Sequence, residues 1–151
     1  MEEINLNSLK IDQLGYVYKD VKKQAKIMEE LYGLQKFAIL ENVVHEVESL
    51  GKRSTIDLTI AFGRAFGVQI ELIQWNSGDC IYKDFIDSGK EGLHHVSAFV
   101  KDLKPYIDFF KEKGFKMIHS GMIGKQRFVY FDTLDTFGIY LEFQETVRKR
   151  K

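Results

Sequence analysis

The chain has 151 residues, enough for one ordinary domain or for two small modules that must share a core, because a half-length piece buries too little surface alone. Apolar residues make up 44% and charged residues 29%, which excludes disordered, collagen-like and membrane-embedded classes. Lys plus Arg and Asp plus Glu balance at 22 each, so no overall basic field draws in nucleic acid or an anionic membrane surface.

The first predicted strand starts at Gln13: Leu14, Tyr16 and Tyr18 alternate with Gln13, Gly15 and Val17, the period of a half-buried strand. A helix follows from Asp20, a good N-cap, and stops at Gly33, with Ile27 and Leu31 as its apolar stripe. Strands come next. Ile56, Leu58 and Ile60, then Ile70 and Leu72, mark the face toward the helix, which turns Asp57, Thr59 and Ala61, and then Glu71, to the opposite face. The stretch from Trp75 to Gly92 reads as a link, with Ile81, Phe85 and Ile86 at helical spacing.

The second half begins with Val96, Ala98 and Val100 facing a helix together with His94, so His95, Ser97 and Phe99 face the other way. That helix is expected from Asp102, with Pro105 in its first turn, Ile107 and Phe110 on its sheet side, and Gly114 at its end. Residues 119–124, with two glycines, read as a flap between two strands. In the last strand Ile139, Leu141 and Phe143 take the helix side and Glu142 projects opposite.

The two halves repeat. Residues 13–22 lie over 95–104, residues 33–37 over 114–118, and residues 58–74 over 129–145, in the same order. The reading is an α+β protein: two βαβββ modules, about 9–75 and about 93–145 with a linker about 76–92, forming a single domain across 1–151 whose curved mixed sheet encloses a cleft. Approximate two-fold packing of the modules brings Gln13 to His95 and Glu71 to Glu142. One imidazole, two carboxylates and one amide suit a borderline divalent ion, Zn, Mn, Fe, Co or Ni, with water in open positions. Read singly, such a histidine is hydrogen-bonded and such a glutamate solvated; the repetition of the same two positions points to a metal.

Three blocks, Ile11-Asp-Gln-Leu-Gly15, Glu91-Gly-Leu-His-His-Val96 and Gly138-Ile-Tyr-Leu-Glu142, resemble the vicinal oxygen chelate superfamily, which includes methylmalonyl-CoA epimerase, glyoxalase I and extradiol dioxygenases. The resemblance covers nearly the whole chain. It implies metal ligands at Gln13, Glu71, His95 and Glu142. The Gly-Leu-His-His stretch and Ile70-Glu-Leu-Ile73 are most similar to the epimerase branch, which carries His where this chain has Gln13 and a second carboxylate near the position of Asp57. Some glyoxalase I enzymes use the Gln, Glu, His, Glu set.

Both of those reactions remove a proton next to a carbonyl and need the resulting enolate stabilised, a task for a Lewis acid. Epimerisation also needs an acid and a base on opposite faces, and Glu142 and Asp57 are the expected pair. Asp57 has the simpler reading of an exposed strand acid. Arg53, Lys125 and Arg127 are candidates for an anion clamp on a small-molecule substrate, against the reading of solvated strand-end charges. Phe99, Phe128, Tyr130 and Tyr140 are expected to line the cleft; His45 and His119 are assigned no role. Two alternatives stay open: a glyoxalase I-like lactoylglutathione lyase, and a protein of the same fold that binds a small molecule without chemistry. An extradiol dioxygenase, which prefers two His and one carboxylate around iron, ranks third.

The single Cys80 has no internal disulfide partner, the N-terminal segment is too charged for a signal peptide, and no apolar run is long enough to span a bilayer, so the cytoplasm is the expected compartment. The tail Arg148, Lys149, Arg150, Lys151 reads as a solvated terminus. A homodimer is the expected assembly.

Overall fold

In the computed structural model, which describes residues 3–148, eight strands close into one barrel. Module one comprises β1 (Gln13–Val17), α1 (Val21–Tyr32), β2 (Ala38–Ser49), β3 (Lys52–Ala65) and β4 (Val68–Ser77); α2 (Ile81–Asp87) follows. Module two comprises β5 (Gly92–Phe99), α3 (Lys104–Glu112), β6 (Met117–Ile123), β7 (Gln126–Phe131), the short α4 (Leu134–Phe137) and β8 (Tyr140–Thr146). The strand order around the barrel is β1-β4-β3-β2-β6-β7-β8-β5. Each module thus lays its strands in the same order, with β1 parallel to β4 and β5 parallel to β8.

Two antiparallel seams join the modules. Along β1 and β5 the pairing runs from Gln13 opposite Ser97 to Val17 opposite Gly92. Along β2 and β6 it covers only Val47, Ser49 and the residue between them, opposite Gly121 to His119. The first half of β2 therefore has no partner on that side, and the barrel wall opens there. Among the described residues no helix is long and apolar enough to cross a membrane.

Alternation along the strands sorts three apolar clusters. Leu14, Tyr16 and Tyr18 join Ala61, Ile70 and Leu72 under α1, which contributes Val21 and Ala25. Ala98, Val129, Phe131 and Phe143 lie under α3, whose Phe110 stacks on Phe131 at 4.5 Å between ring centroids. The third cluster, with Val17, Leu58, Ile60, Ile73, Tyr82 and Tyr130, fills the barrel's own interior.

Local signals act as the residues dictate. Asp20 caps α1 by accepting from the Lys23 amide, and Gly33 closes it in the left-handed region at φ 68°. Leu31 departs from expectation: it is 73% exposed, because the stripe that meets the sheet runs through Val21, Ala25 and Met28 instead. Asp102 accepts from the Lys104 amide, and α3 starts one residue later than expected, after Leu103. Trp75 belongs to β4, which runs on to Ser77. Residues 119–123 form no flap; they belong to β6, paired with β7. Lys149, Arg150 and Lys151 lie outside the described residues.

Candidate functional site

The β1–β5 seam carries the centre of the site. His95 faces Gly15 across it, and a Cβ on Gly15 would collide with the Cε1 and Nε2 atoms of the His95 ring. The glycine is what allows an imidazole to lie flat over the neighbouring strand. From there His95 Nε2 is 3.3 Å from Glu71 Oε1, 3.5 Å from Glu142 Oε1 and 3.3 Å from the Tyr130 hydroxyl. Glu71 and Glu142 occupy equivalent places on β4 and β8, beside Gly15 and Ser97 in the parallel pairings. Gln13, one pleat along from Gly15, is likewise buried and donates to Gln69 Oε1 at 2.7 Å. Gln13, Glu71, His95 and Glu142, which the sequence singles out, thus converge.

Burial without a cationic partner pushes both carboxyls up, Glu71 to about 7 and Glu142 to about 7, the latter with repulsion from Glu71 added and attraction to His95 opposing. The same burial lowers His95 below the ordinary histidine value. Around them, Tyr130 and Tyr82 share a hydroxyl–hydroxyl bond of 2.7 Å, and burial holds both phenols well above their usual range.

Among the described residues no three His, Cys, Asp or Glu side chains form a closed metal cluster; the carboxylates meet through His95. The donor chemistry nonetheless fits a divalent ion. Ligands bonded at about 2.1 Å in a tetrahedron stand about 3.4 Å apart, and the two His95–carboxylate separations of 3.3 and 3.5 Å bracket that edge. On the far side of the ring, His95 Nδ1 lies 2.9 Å from His94 Nδ1. A ligating Nε2 carries no proton, so Nδ1–H would donate to His94, whose own proton then sits on the buried, unpartnered Nε2. His94 turns inward because the β1–β5 pairing skips it, with Gly15 opposite His95 and Tyr16 opposite Leu93. Alternation alone assigns it to the helix side.

A cavity of about 390 Å³ opens above this floor. Gln13, Glu71, Glu142 and Gln144 form its polar end, and Leu58, Ile60, Phe62, Phe99 and Phe128 its walls. Phe99 and Tyr130 line it as expected; Tyr140 does not, lying with His94 in a separate groove. No Lys or Arg among the described residues lines it. Arg53 and Arg127 line an outer groove, Arg127 within 3.9 Å of Glu145, and Lys125 is exposed in the turn before β7. Each sits on the outward phase of its strand or in a turn, so an anion clamp inside the cavity is not formed by these three.

Asp57 is also displaced from its expected place. Phe62, not Ala61, pairs with Glu71, and Ile60 pairs with Ile73, so Leu58, Ile60 and Phe62 face the cavity and Asp57 faces out. Its carboxylate accepts from Asn76 Nδ2 at 3.2 Å, beside Thr59. Apolar character misled here because a barrel's interior is itself apolar. The cavity wall instead presents His45, on β2, four strands from β5 in either direction. The His45 Nδ1 can only donate to the Val43 carbonyl, 3.1 Å away, which leaves Nε2 as a free base, and burial lowers its pKa. Sequence reasoning set His45 aside and missed Gln144, Tyr82 and His94; the one sequence signal for Gln144 was its place two residues beyond Glu142, on the same face.

Fold and site together define an α+β protein of two βαβββ modules closed around a cavity lined at one end by Gln13, Glu71 and Glu142, with His95 buried against the two glutamates. The sequence matches the Glyoxalase/Bleomycin resistance protein/Dioxygenase superfamily over residues 12–131, and the chain belongs to that superfamily. The fold is similar to a hypothetical protein of Bacillus halodurans C-125 (24% identity, TM-score 0.63, covering 95% of this chain and 99% of that one). It is also similar to methylmalonyl-CoA epimerase from Mycobacterium tuberculosis (16%, 0.62, 91% and 88%) and to a Streptomyces coelicolor methylmalonyl-CoA epimerase variant in complex with 2-nitronate-propionyl-CoA (17%, 0.67, 95% and 99%). A search of curated protein sequences finds no match.

Proposed function

We propose that the chain is a metal-dependent enzyme that moves a proton at a carbon next to a carbonyl, an epimerase- or isomerase-type reaction on a small substrate. The observation that carries this is the buried His95 Nε2, 3.3 and 3.5 Å from the Glu71 and Glu142 carboxylates, which themselves line one end of a mostly apolar cavity. Gln13, Glu71, His95 and Glu142 would hold the ion. Bound there, it would act as a Lewis acid toward substrate oxygens.

The chain's own groups supply the proton traffic. Glu142 lines the cavity beside His95, so its carboxylate is placed to exchange a proton with a bound substrate. His45 takes the part expected of Asp57: it lines the same cavity from another wall with Nδ1 engaged by Val43, so Nε2 is the nitrogen left to approach a planar intermediate from a second side. The apolar walls exclude water from a reactive carbanion and fit a branched acyl body such as a 2-methylacyl thioester. A lactoylglutathione-type substrate gains no support, since among the described residues no Lys or Arg lines the cavity to meet its carboxylates.

The test is α-hydrogen exchange of 2-methylacyl thioesters in deuterium oxide by metal-loaded protein, with Glu142→Gln and His45→Gln. Exchange by the wild type, cut about 100-fold or more by either substitution, supports the reading. The aromatic walls Phe62, Phe99 and Phe128 favour a second one, sequestration of an apolar ligand without chemistry. Tight binding with no exchange would select it.

A further inference from the structure

Gln144 lies two residues beyond Glu142 on β8, so its side chain returns to the cavity face. Its Nε2 stands 3.1 Å from Gln13 Oε1, 3.0 Å from Ser97 Oγ and 2.9 Å from Glu142 Oε1. Its own Oε1 accepts from Gln126 Nε2 at 3.2 Å. The partners fix which way round the amide lies. Gln13 spends its Nε2 on Gln69 and therefore presents oxygen, as does the Glu142 carboxylate, so a reversed Gln144 would set oxygen against oxygen. The two amide hydrogens go to Gln13 and Glu142; the Ser97 hydroxyl can donate its own proton.

The result is an electropositive nitrogen at the meeting point of lone pairs from two of the four donors. An ion held by Gln13 and Glu142 would need those same lone pairs. We propose that the Gln144 carboxamide is a tethered competitor for the metal seat, holding Gln13 and Glu142 in place without an ion and setting the affinity that an ion must exceed to displace it. This rests on the metal-centre reading above. Module one has no counterpart: where Gln144 pairs with Phe128, the matching pair is Ile73 with Ile60. The competitor is thus a feature of one module, added at a position the fold otherwise fills with an aliphatic side chain. A merely supporting role, orienting Glu142 for an ion, makes the opposite demand, since deleting the support would weaken binding.

Cobalt(II) titration of chelator-stripped full-length protein, read by visible absorption and calorimetry, separates the two. Gln144→Leu is expected to bind cobalt about tenfold more tightly than wild type, the loss of roughly one to two competing hydrogen bonds. Gln126→Leu, which unties only the Oε1 end, should tighten it about two- to threefold by the same reasoning. Equal or weaker binding by Gln144→Leu, with measurable wild-type binding, overturns the proposal. If Gln144→Leu does not fold, Gln126→Leu decides it: unchanged or weakened affinity overturns it, tightened affinity upholds it. Binding by the variants and none by wild type supports it most strongly. No binding by any of them overturns the metal reading, and this proposal with it.

Discussion

The two modules share strand order, pairing sense and one inward glutamate each, yet they contribute unequally to the cavity. At matched positions module one offers Gln13, Gly15, Phe62 and Ile73 where module two offers His95, Ser97, Tyr130 and Gln144. A repeated fold supplies the scaffold and a symmetric pair of carboxylates; the rest of the site's polarity comes from departures from symmetry, concentrated in the second half. Module one builds most of the apolar wall, while the polar floor is shared, Gln13 and Glu71 from one module and Glu142 and Gln144 from the other.

The largest test of that inequality is metal content. His95→Ala should abolish near-stoichiometric metal measured by plasma mass spectrometry, whereas Gln13→Ala, losing a neutral amide oxygen, should keep metal at about tenfold lower affinity. Equal losses would make the modules equal partners. Next come the helices. Phe110→Ala should cost about 3–5 kcal/mol in urea unfolding, since it empties the stack on Phe131. Leu31→Ala, on an exposed position of α1, should stay within about 0.5 kcal/mol.

Tyr130→Phe is expected to cost about 1–3 kcal/mol by thermal or urea unfolding, because it strands the buried Tyr82 hydroxyl. A cost under 0.5 kcal/mol would show that Tyr82 finds another partner and that the module-two floor is less tightly coupled than its distances indicate.

The smallest effect is in pH. Glu142 has its folded carboxyl raised to about 7 against an ordinary 4.5, so the folded state holds its proton more tightly than the unfolded state does. Its stabilisation is present below 4.5 and is lost as pH rises through 7. In chelator, Glu142→Gln should therefore gain melting temperature relative to wild type as pH rises from about 4.5 to above 7. A difference that is flat with pH would mean the carboxyl is not protonated near neutrality.

Much of this was legible from alternation and repetition. Leu14, Tyr16 and Tyr18 against Gln13, Gly15 and Val17, the caps at Asp20 and Gly33, and the shared face of Gln13, Glu71, His95 and Glu142 all follow from periods of two and from the repeat. What failed did so where the repeat hides an offset. The ungapped alignment lays Thr59 over Tyr130, but the pairings put Phe62 beside Glu71 and Tyr130 beside Glu142. The two hairpins differ because β3 turns directly into β4 while α4 is inserted between β7 and β8. That shift, from 59 to 62, is odd in residue number, and an odd shift exchanges the faces of a strand, so the repeat gives no check on Asp57, whose side is read from Ile56, Leu58 and Ile60 as if they met a helix when they line the barrel's interior. His94 was lost to a skipped residue in the β1–β5 pairing, which no alternation rule can foresee.

Gly15 makes a demand on descent as well as on packing. Because the His95 ring occupies the space a side chain at position 15 would need, the two positions can change only together. A relative that replaced this glycine with anything larger would have to give up the imidazole or open the seam between its halves. Kinship of activity within the family is therefore better traced through an unreactive hydrogen atom on β1 than through the glutamates, which the repeated fold supplies in both halves.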